Sequence, residues 1–342
     1  SLLLEKASGR LGELNAFARF VPNVDLFIKV HVTKEAVVSS KIEGTQTNLQ
    51  EALLPEEEIK PENRNDWHEV RNYVSALNEA IDFLAELLIS SRLIRKAHER
   101  LLHGVRGQEK LPGQFRKSQN WIGGASLTDA TFIPPHEQYV EELMSDLEQF
   151  IHHKEWRIPA LIRIAIVHYQ FETIHPFLDG NGRIGRLLIT LYLIHEGILE
   201  KPLLYLSSFF ERDRQLYYDN LMQVRTKNDM LHWIKYFLIG LEQTASLAIS
   251  TLKGVLSLQE HIQRTIQTSF GRRASSALIL VDYLFRWPHI RVDDVMHTCA
   301  LSPKAAGDLL SRFVEEGWLK EITGRKRDRI YAFEPYLEAF KE

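Results

Sequence analysis

Hydrophobic residues recur every three or four positions over most of the chain, which is the period of an amphipathic α-helix. They form one stripe along residues 67–89 and another along residues 161–171. Pro159 suits the first turn of the second helix, because its missing amide hydrogen has no partner there. The pattern extends from about residue 24 to 270 without a fixed-period repeat. The sequence therefore predicts a mainly α fold.

One internal segment breaks the helical pattern. Residues 111–135 contain paired glycines, paired prolines and scattered β-branched and aromatic side chains. This composition favours turns and short strands over helices. We expect an irregular β-hairpin here, centred on Gly123 and Gly124.

The pattern changes again near residues 269–272. Beyond them, helical spacing predicts three short helices over 275–285, 291–299 and 302–317. Residues 317–335 then alternate around a Gly-Arg-Lys-Arg tip, which is typical of a two-stranded hairpin. Three helices followed by a hairpin predict a small C-terminal winged helix-turn-helix domain.

Length, charge and cysteine content narrow the class of protein. At roughly 150 residues per domain, 342 residues favour about two domains. The net charge of −3 provides no general attraction to nucleic acid or anionic lipid. Cys299 is the single cysteine, which excludes an intramolecular disulfide and favours a reducing compartment. The longest largely apolar run, 187–194, is too short to cross a bilayer, so we expect a cytoplasmic protein without a membrane span.

The candidate chemistry is concentrated in the segment HPFLDGNGRIGR, which runs from His175 to Arg186. Its Gly-Asn-Gly triplet at 180–182 makes a turn that opens a helix. Backbone amides at a helix N-terminus point outward, and the helix dipole favours an anion there. Arg183 and Arg186 are three residues apart and are expected on one helix face, where they could contact successive phosphates. The segment therefore predicts a phosphate site.

Two further residues of this segment suit a reaction at that phosphate. Asp179 offers a hard carboxylate for a Mg²⁺ ion that keeps its waters and bridges phosphate oxygens. His175 has an ordinary pKa near neutrality and suits a general base. Each residue type alone has a structural alternative: a core histidine, an Asp-Gly turn, a solvated pair of arginines. Their combination within one short segment favours a catalytic site.

The segment resembles the signature of the Fic family, HPFx(D/E)GNGRxxR, and matches it at every specified position. The resemblance implies a helical Fic core that transfers AMP from ATP to a Ser, Thr or Tyr hydroxyl of a target protein or of itself, releasing pyrophosphate. It also implies that His175 is the catalytic base, that Asp179 binds Mg²⁺, and that Arg183 and Arg186 contact the α/β- and γ-phosphates. The residues that it implies for the ATP site are Glu43, His175, Gly180, Asn181, Gly182, Arg183, Ile184, Gly185, Arg186, Tyr217 and Asn220.

An N-terminal helix carries a second pattern of the same family. In the predicted helix at 33–44, Ser39 and Glu43 are four residues apart and Gly44 is a natural C-cap. A glutamate in this place is usually a solvated helix carboxylate. The SxxxEG pattern nevertheless resembles the inhibitory helix of class II Fic proteins. The resemblance implies that Glu43 pairs with Arg186 and takes the charge meant for the γ-phosphate, so that the enzyme is autoinhibited.

The hairpin and a later helix supply candidate contacts to the substrates. Residues 119–134 lie where Fic proteins have a flap that holds the target segment by backbone pairing, with Ile122 or Phe132 as the apolar contact. An ordinary surface loop is the alternative. By resemblance, Tyr217 and Asn220 are the candidates for stacking on adenine and for a polar contact to its edge. A plain core stripe competes with that interpretation.

The expected organisation is an N-terminal helical region at 1–110, a catalytic core at 111–268 and the winged helix at 269–342. Two other reactions stay open on the same core, removal of AMP and transfer of another phosphate-containing group such as phosphocholine. Kinase chemistry is disfavoured, because the phosphorylating branch that resembles the Doc toxin has Ala and Lys where this chain has Gly180 and Gly182.

A winged helix also raises the alternative of a DNA-binding regulator, with 302–313 as the recognition helix and the basic tip at 325–329 as the wing. Residues 271–342 carry 12 Lys or Arg against 11 Asp or Glu, which is a weak electrostatic attraction to DNA. A protein-interaction role, including a homodimer, competes with it.

Overall fold

The computed structural model describes residues 2–21, 24–153 and 155–341 of the chain. These residues are mainly α-helical, as the hydrophobic pattern predicts. The α-helices are α1 (Leu2–Phe20), α2 (Val24–Ile42), α3 (Leu49–Ala52), α4 (Arg64–Phe83), α5 (Ser91–Leu101), α6 (Val140–His152), α7 (Ala160–Ile174), α8 (Asn181–His195), α9 (Ser207–Arg212), α10 (Arg214–Lys227), α11 (Met230–Ser269), α12 (Ala274–Arg286), α13 (Val292–Cys299), α14 (Pro303–Glu315) and α15 (Glu334–Glu338). The strands are β1 (His289–Ile290), β2 (Lys320–Glu321) and β3 (Tyr331–Ala332). Among the described helices, none is both long and apolar enough to cross a membrane.

The chain divides into two compact units, and the candidate site lies in the first. Unit 1 comprises the residues up to Ala16, Val32–Ala52 and Glu56–Ser246. Its core is built around α8, which packs against α4, α5 and α7 and has nearly every side chain buried. A helix that is buried on all sides needs apolar residues all round, and this explains the run of leucines and isoleucines after the glycine-rich turn.

Two helix boundaries differ from the sequence prediction. α4 ends at Phe83 and not near residue 89, and Leu88 is 61% exposed although the periodicity placed it on the buried face. α7 begins at Ala160, with Pro159 in extended conformation at the N-cap and not in the first turn. Periodicity marks the apolar face of a helix, but it does not mark the residue at which the backbone leaves the helix.

The segment at 119–134, which we call the flap, is an irregular hairpin. Ile122 and Phe132 form one antiparallel bridge, in which each amide donates to the other carbonyl at 2.9 and 3.1 Å. At the tip, the Asp129 carboxylate accepts hydrogen bonds from the amides of Ala125 and Ser126. Gly124 has a φ of +73°, and a Cβ there would overlap the Asp129 backbone, so this turn requires glycine.

Unit 2 comprises Phe17–His31, Leu53–Pro55 and the residues from Leu247 onward. After α11, the helices α12, α13 and α14 are followed by β2 and β3. The predicted two-stranded hairpin is in fact a three-stranded antiparallel sheet in the order β1-β3-β2, because His289 of β1 also pairs with Ala332. A strand of two residues is too short to produce an alternating pattern, so the sequence does not reveal β1. The winged-helix assignment and the domain boundaries at 110 and 268 stay predictions.

Candidate functional site

The loop between α7 and α8 is held by side chains on both sides of it. His175 ends α7 in the left-handed conformation, with a φ of +49°. The Asn181 side chain accepts a hydrogen bond from the Phe177 amide and donates one to the Phe177 carbonyl, both at 2.8 Å. Asn181 is 2% exposed. Its side chain therefore fixes the loop, and its contact with the nucleotide stays a prediction.

Two residues outside the signature position this loop, and the sequence analysis missed both. The Gly113 amide donates to His98 Nδ1, so His98 Nε2 carries the proton and donates to the Asp179 carbonyl, each at 2.9 Å. Burial lowers the pKa of His98 to about 4, which keeps it in this neutral form. Arg116 donates to the His175 carbonyl at 2.9 Å. Neither residue belongs to a local motif, so no sequence signal pointed to them.

Arg186 is buried and bound to α2. Its Nη2 lies 2.6 Å from Glu43 Oε1 and 2.9 Å from the Ser39 carbonyl, and its Nε donates to Ser39 Oγ at 2.8 Å. Burial acts to raise the pKa of Glu43, but the charge and hydrogen bond of Arg186 outweigh it and hold the pKa below its usual value. The predicted helix at 33–44 is the second half of the longer α2, with Glu43 and Gly44 just after its end. Glu43 is thus a carboxylate ion-paired to the second arginine of the signature.

Glu35 and Ser39 lie on one face of α2, and Glu43, in the turn after it, continues the same four-residue spacing. Glu35 accepts hydrogen bonds from the Tyr73 hydroxyl, at 3.1 Å, and from the Ser207 hydroxyl. Burial raises the pKa of Glu35 to about 7, although the Ser207 hydrogen bond and the Arg186 charge oppose this shift. The i, i+4, i+8 spacing was a signal for Glu35 that the sequence analysis did not use.

Arg183 and Arg186 bind different partners, although their spacing predicts one helix face for both. Arg183 is 2% exposed and binds Glu69 of α4, with 3.0 Å between Arg183 Nη1 and Glu69 Oε2. Its other terminal nitrogen lies 3.6 Å from Asp179 Oδ1. Each signature arginine therefore has a carboxylate partner from a different N-terminal helix or turn.

A cavity of about 460 Å³ opens beside the N-terminus of α8. Of the predicted ATP-site residues, Glu43, His175, Gly182, Arg186 and Tyr217 line it. Ile122 and Phe132 of the flap also line it, and which of them is the apolar contact to a target segment stays a prediction. The predicted residues that do not line it are Gly180, Asn181, Arg183, Ile184, Gly185 and Asn220.

Tyr217 and Asn220 behave differently although they share α10. His168 Nδ1 lies 3.0 Å from the Gly185 carbonyl, so it carries the proton, and Nε2 accepts from the Tyr217 hydroxyl at 3.0 Å. The Tyr217 ring forms part of the cavity wall, while its hydroxyl is hydrogen-bonded to His168 inside the protein. The Asn220 amide donates to the Leu216 carbonyl of its own helix, at 2.8 Å. Asn220 is not among the residues that line the cavity, and its polar contact to a base stays a prediction.

Two titratable groups in the cavity have pKa values that are shifted in the direction that favours their neutral forms. Burial lowers the pKa of His175 to about 4, although the negative charge of Glu43 opposes the shift. Burial also raises the pKa of Glu172, one turn earlier on α7, to about 7. A neutral imidazole has a free lone pair, which is what a general base requires.

Asp179 is the candidate metal ligand. Its side chain is 38% exposed, and Oδ1 accepts the Gly180 amide at 2.6 Å. In the part of the chain that the structure describes, no group of three or more His, Cys, Asp or Glu side chains is arranged to hold a metal. One accessible carboxylate fits Mg²⁺, which keeps several waters and takes its other ligands from a nucleotide.

Comparison with known proteins identifies the family. The profile described as Fic/DOC family N-terminal matches residues 2–82, and the Fic/DOC family profile matches residues 88–193. Together they cover more than half of the chain, and the chain belongs to the Fic/DOC family. Over its full length it is similar in fold to a Fic family protein from Desulfovibrio desulfuricans, at 21% identity, with a TM-score of 0.58 and coverage of 97% of this chain and 96% of the other. Fic-1 from C. elegans (residues 134–508) matches with a TM-score of 0.54 at 24% identity, over 72% of this chain and 70% of that one.

Curated relatives of this chain carry the name protein adenylyltransferase. A probable protein adenylyltransferase of Aquifex aeolicus is 28% identical over 173 residues, which is 51% of each chain. The protein adenylyltransferase Fic of Aedes aegypti is 28% identical over 187 residues, which is 52% of this chain and 34% of that protein. The match thus spans about half or less of the length of these relatives.

Proposed function

We propose that this protein is a protein adenylyltransferase that transfers AMP from ATP to a Ser, Thr or Tyr hydroxyl of a target protein or of itself. The observation that carries the proposal is the convergence of a neutral His175, a buried Arg186 and the N-terminus of α8 on one cavity. Amides in the first turn of a helix have no carbonyl partner within it, so they are available to phosphate oxygens. The names of the curated relatives support the same reaction.

His175 acts as the general base in this reaction. It takes the proton of the target hydroxyl while the hydroxyl oxygen forms a bond to the α-phosphorus of ATP. The bond from the α-phosphorus to the oxygen that bridges it to the β-phosphorus breaks, and pyrophosphate leaves. Arg116 and the left-handed backbone of His175 fix the imidazole at the cavity wall. Such a reaction depends on in-line positioning and charge neutralisation more than on covalent catalysis.

ATP binds along the wall that these residues form. Arg186 contacts the γ-phosphate, and the amides that begin α8 contact the other phosphates. Asp179 would hold a Mg²⁺ ion, which would neutralise phosphate charge. The Tyr217 ring supplies apolar surface for the nucleotide. The flap binds an extended segment of the target protein beside the Ile122–Phe132 bridge, by adding backbone pairing.

Glu43 inhibits the reaction by competing for Arg186. The Glu43 carboxylate occupies Nη2 of Arg186 at 2.6 Å and cancels the positive charge that would attract the γ-phosphate. Ser39 strengthens this state with two hydrogen bonds to Arg186. The unmodified protein is therefore of low activity until Glu43 moves away.

The reaction is tested with ATP labelled on the α-phosphate and Mg²⁺, using wild type, Glu43→Gly, His175→Ala and the double variant. We expect label on protein with Glu43→Gly, little with wild type, and none when His175 is replaced. His136→Ala, in an exposed histidine, is the matched control and retains labelling. Label transferred from γ-labelled ATP instead would contradict the proposal, and so would equal labelling with and without His175.

A second candidate is the removal of AMP, with Glu43 positioning a water for attack. The side chain of Glu43 is 31% exposed and lines the cavity together with His175, which favours this candidate. Incubation with a target already carrying AMP separates the two reactions. Release that requires Glu43 supports removal, and no release under conditions where Glu43→Gly transfers AMP excludes it.

A further inference from the structure

Glu69 links the glycine-rich loop to a second loop that the family signature does not include. It is 1% exposed on α4 and binds Arg183 at 3.0 Å on one side. On the other side it binds Arg106, with 3.2 Å between Arg106 Nε and Glu69 Oε1. The residue after Arg106 is Gly107, and a Cβ there would lie 2.7 Å from Asp179 Oδ2. The loop at 102–108 thus packs directly against Asp179, and Glu69 connects it to Arg183.

Arg183 contacts two carboxylates, and one of them is closer than the other. Its distance to Glu69 is 3.0 Å, and its distance to Asp179 is 3.6 Å. Because Glu69 forms the shorter contact, it neutralises most of the charge of Arg183. The carboxylate of Asp179 makes the longer of the two contacts and remains partly exposed. Without Glu69, the only close anion for Arg183 among these groups would be Asp179.

We propose that Glu69 is a positioning residue that takes the shorter contact with Arg183, limits Arg183 to a 3.6 Å contact with Asp179, and holds the 102–108 loop against Asp179, so that Asp179 can bind the divalent cation of a Mg²⁺–nucleotide complex. This inference rests on the proposed function, since it takes Asp179 as the metal ligand. Partners that orient a metal ligand matter to affinity almost as much as the ligand itself, and their loss costs about 10–100-fold in metal binding. Glu69 acts through Arg183 and Asp179 and does not touch the nucleotide.

The test measures the binding of a fluorescent ATP analogue to the full chain in the Glu43→Gly background, as a function of Mg²⁺ and in EDTA. With Glu69→Gln we expect the Mg²⁺ concentration for half-maximal tightening to rise about tenfold. Binding in EDTA should stay within about twofold of the parent, because metal-free nucleotide does not use Asp179. Arg106→Gln is the matched control: Arg106 is 57% exposed, so its loss removes less of the Glu69 charge pairing and shifts the Mg²⁺ requirement less.

A second variant keeps the test valid if Glu69→Gln destabilises the fold. Gly107→Ala removes no charged group but places a methyl group against Asp179, at a φ of +90° that strains the loop, and we expect it to raise the Mg²⁺ requirement too. An unchanged Mg²⁺ requirement in both variants overturns the inference. Tighter binding of nucleotide to Glu69→Gln in EDTA also overturns it, because Glu69 would then be a competitor of the phosphates. Absence of nucleotide binding in the Glu43→Gly parent would instead refute the proposed function.

Discussion

Ser39 binds Arg186 twice, through its hydroxyl at 2.8 Å and through its carbonyl at 2.9 Å. Glu43, one turn later, completes the set of acceptors around the same guanidinium. Arg186, which we propose as the ligand of the γ-phosphate, is therefore held by three acceptors from α2 and the turn after it. Any change to this set alters both the stability of the fold and the availability of Arg186.

Replacing Ser39 tests the contribution of its hydroxyl alone, because the backbone carbonyl and Glu43 remain as acceptors. Ser39→Ala removes one hydrogen bond to a charged, buried group, so we expect the free energy of unfolding to fall by about 1–3 kcal/mol. ATP should bind several-fold more tightly, because Arg186 loses one of its internal acceptors. Chemical denaturation and nucleotide titration measure the two effects. Ser40→Ala is the control, since the buried Ser40 hydroxyl has no hydrogen-bond partner among the described residues; a similar gain in ATP affinity there would contradict the prediction.

Replacing Glu172 tests the pH dependence of stability. Burial raises its pKa from 4.5 in the unfolded chain to about 7, with the Arg186 charge opposing. An acid with a raised pKa stabilises the fold below pH 4.5, and this contribution is lost as pH rises to 7. Glu172→Gln cannot ionise. We therefore expect little change in unfolding free energy at low pH and a gain of roughly 1–3 kcal/mol well above pH 7.

The Glu172 prediction is checked by urea denaturation of wild type and variant across that range of pH. Glu86→Gln, at an exposed position, is the control and should give parallel curves. A constant difference between wild type and Glu172→Gln at every pH would mean that Glu172 does not titrate in this range.

A methyl group at Gly185 of α8 should be costly because of the side chains that surround it. A Cβ on Gly185 would overlap Glu172 Oε1 and approach Phe171 to 3.1 Å, so Gly185→Ala should destabilise the protein by about 1–3 kcal/mol. Gly9→Ala on α1 meets nothing within 4 Å. It should stabilise the protein by about 0.5–1 kcal/mol, the usual gain of alanine over glycine in a helix. Thermal melts of the two variants should shift in opposite directions, and shifts in the same direction would refute the packing argument.

The flap should loosen when its contact with α10 is removed. The Arg225 guanidinium lies 3.6 Å from the centre of the Phe132 ring and also donates to the Glu172 carbonyl. Arg225→Gln removes the cation–π contact, worth about 0.5–2 kcal/mol. We expect limited proteolysis within residues 123–131 to accelerate several-fold. Lys227→Gln, an equal change of charge at an exposed position of the same helix, should leave the cleavage rate unchanged; equal acceleration by both would assign the effect to charge alone.

The local features of the site follow from contiguous residues. Gly180 with its positive φ, the start of α8 at Asn181 and the end of α7 before His175 all come from the segment that contains them. The helical class follows in the same way, because a period of three to four residues is a property of neighbours along the chain. The spacing of Ser39 and Glu43 likewise predicted that both point to one side of a helix, as they do toward Arg186.

The partners of each charged group were decided by tertiary structure. Glu43 lies 143 residues from Arg186 along the chain, and Glu69 lies 114 from Arg183. Spacing alone placed the two arginines on a common face, whereas packing buries each against its own acid. Asn220 shows the converse: its spacing from Tyr217 suited a shared pocket, but its amide bonds its own helix. Sequence determines which groups are near each other on one element, and only the packing of elements determines which distant charges meet away from water, where an unpaired charge is too costly to keep.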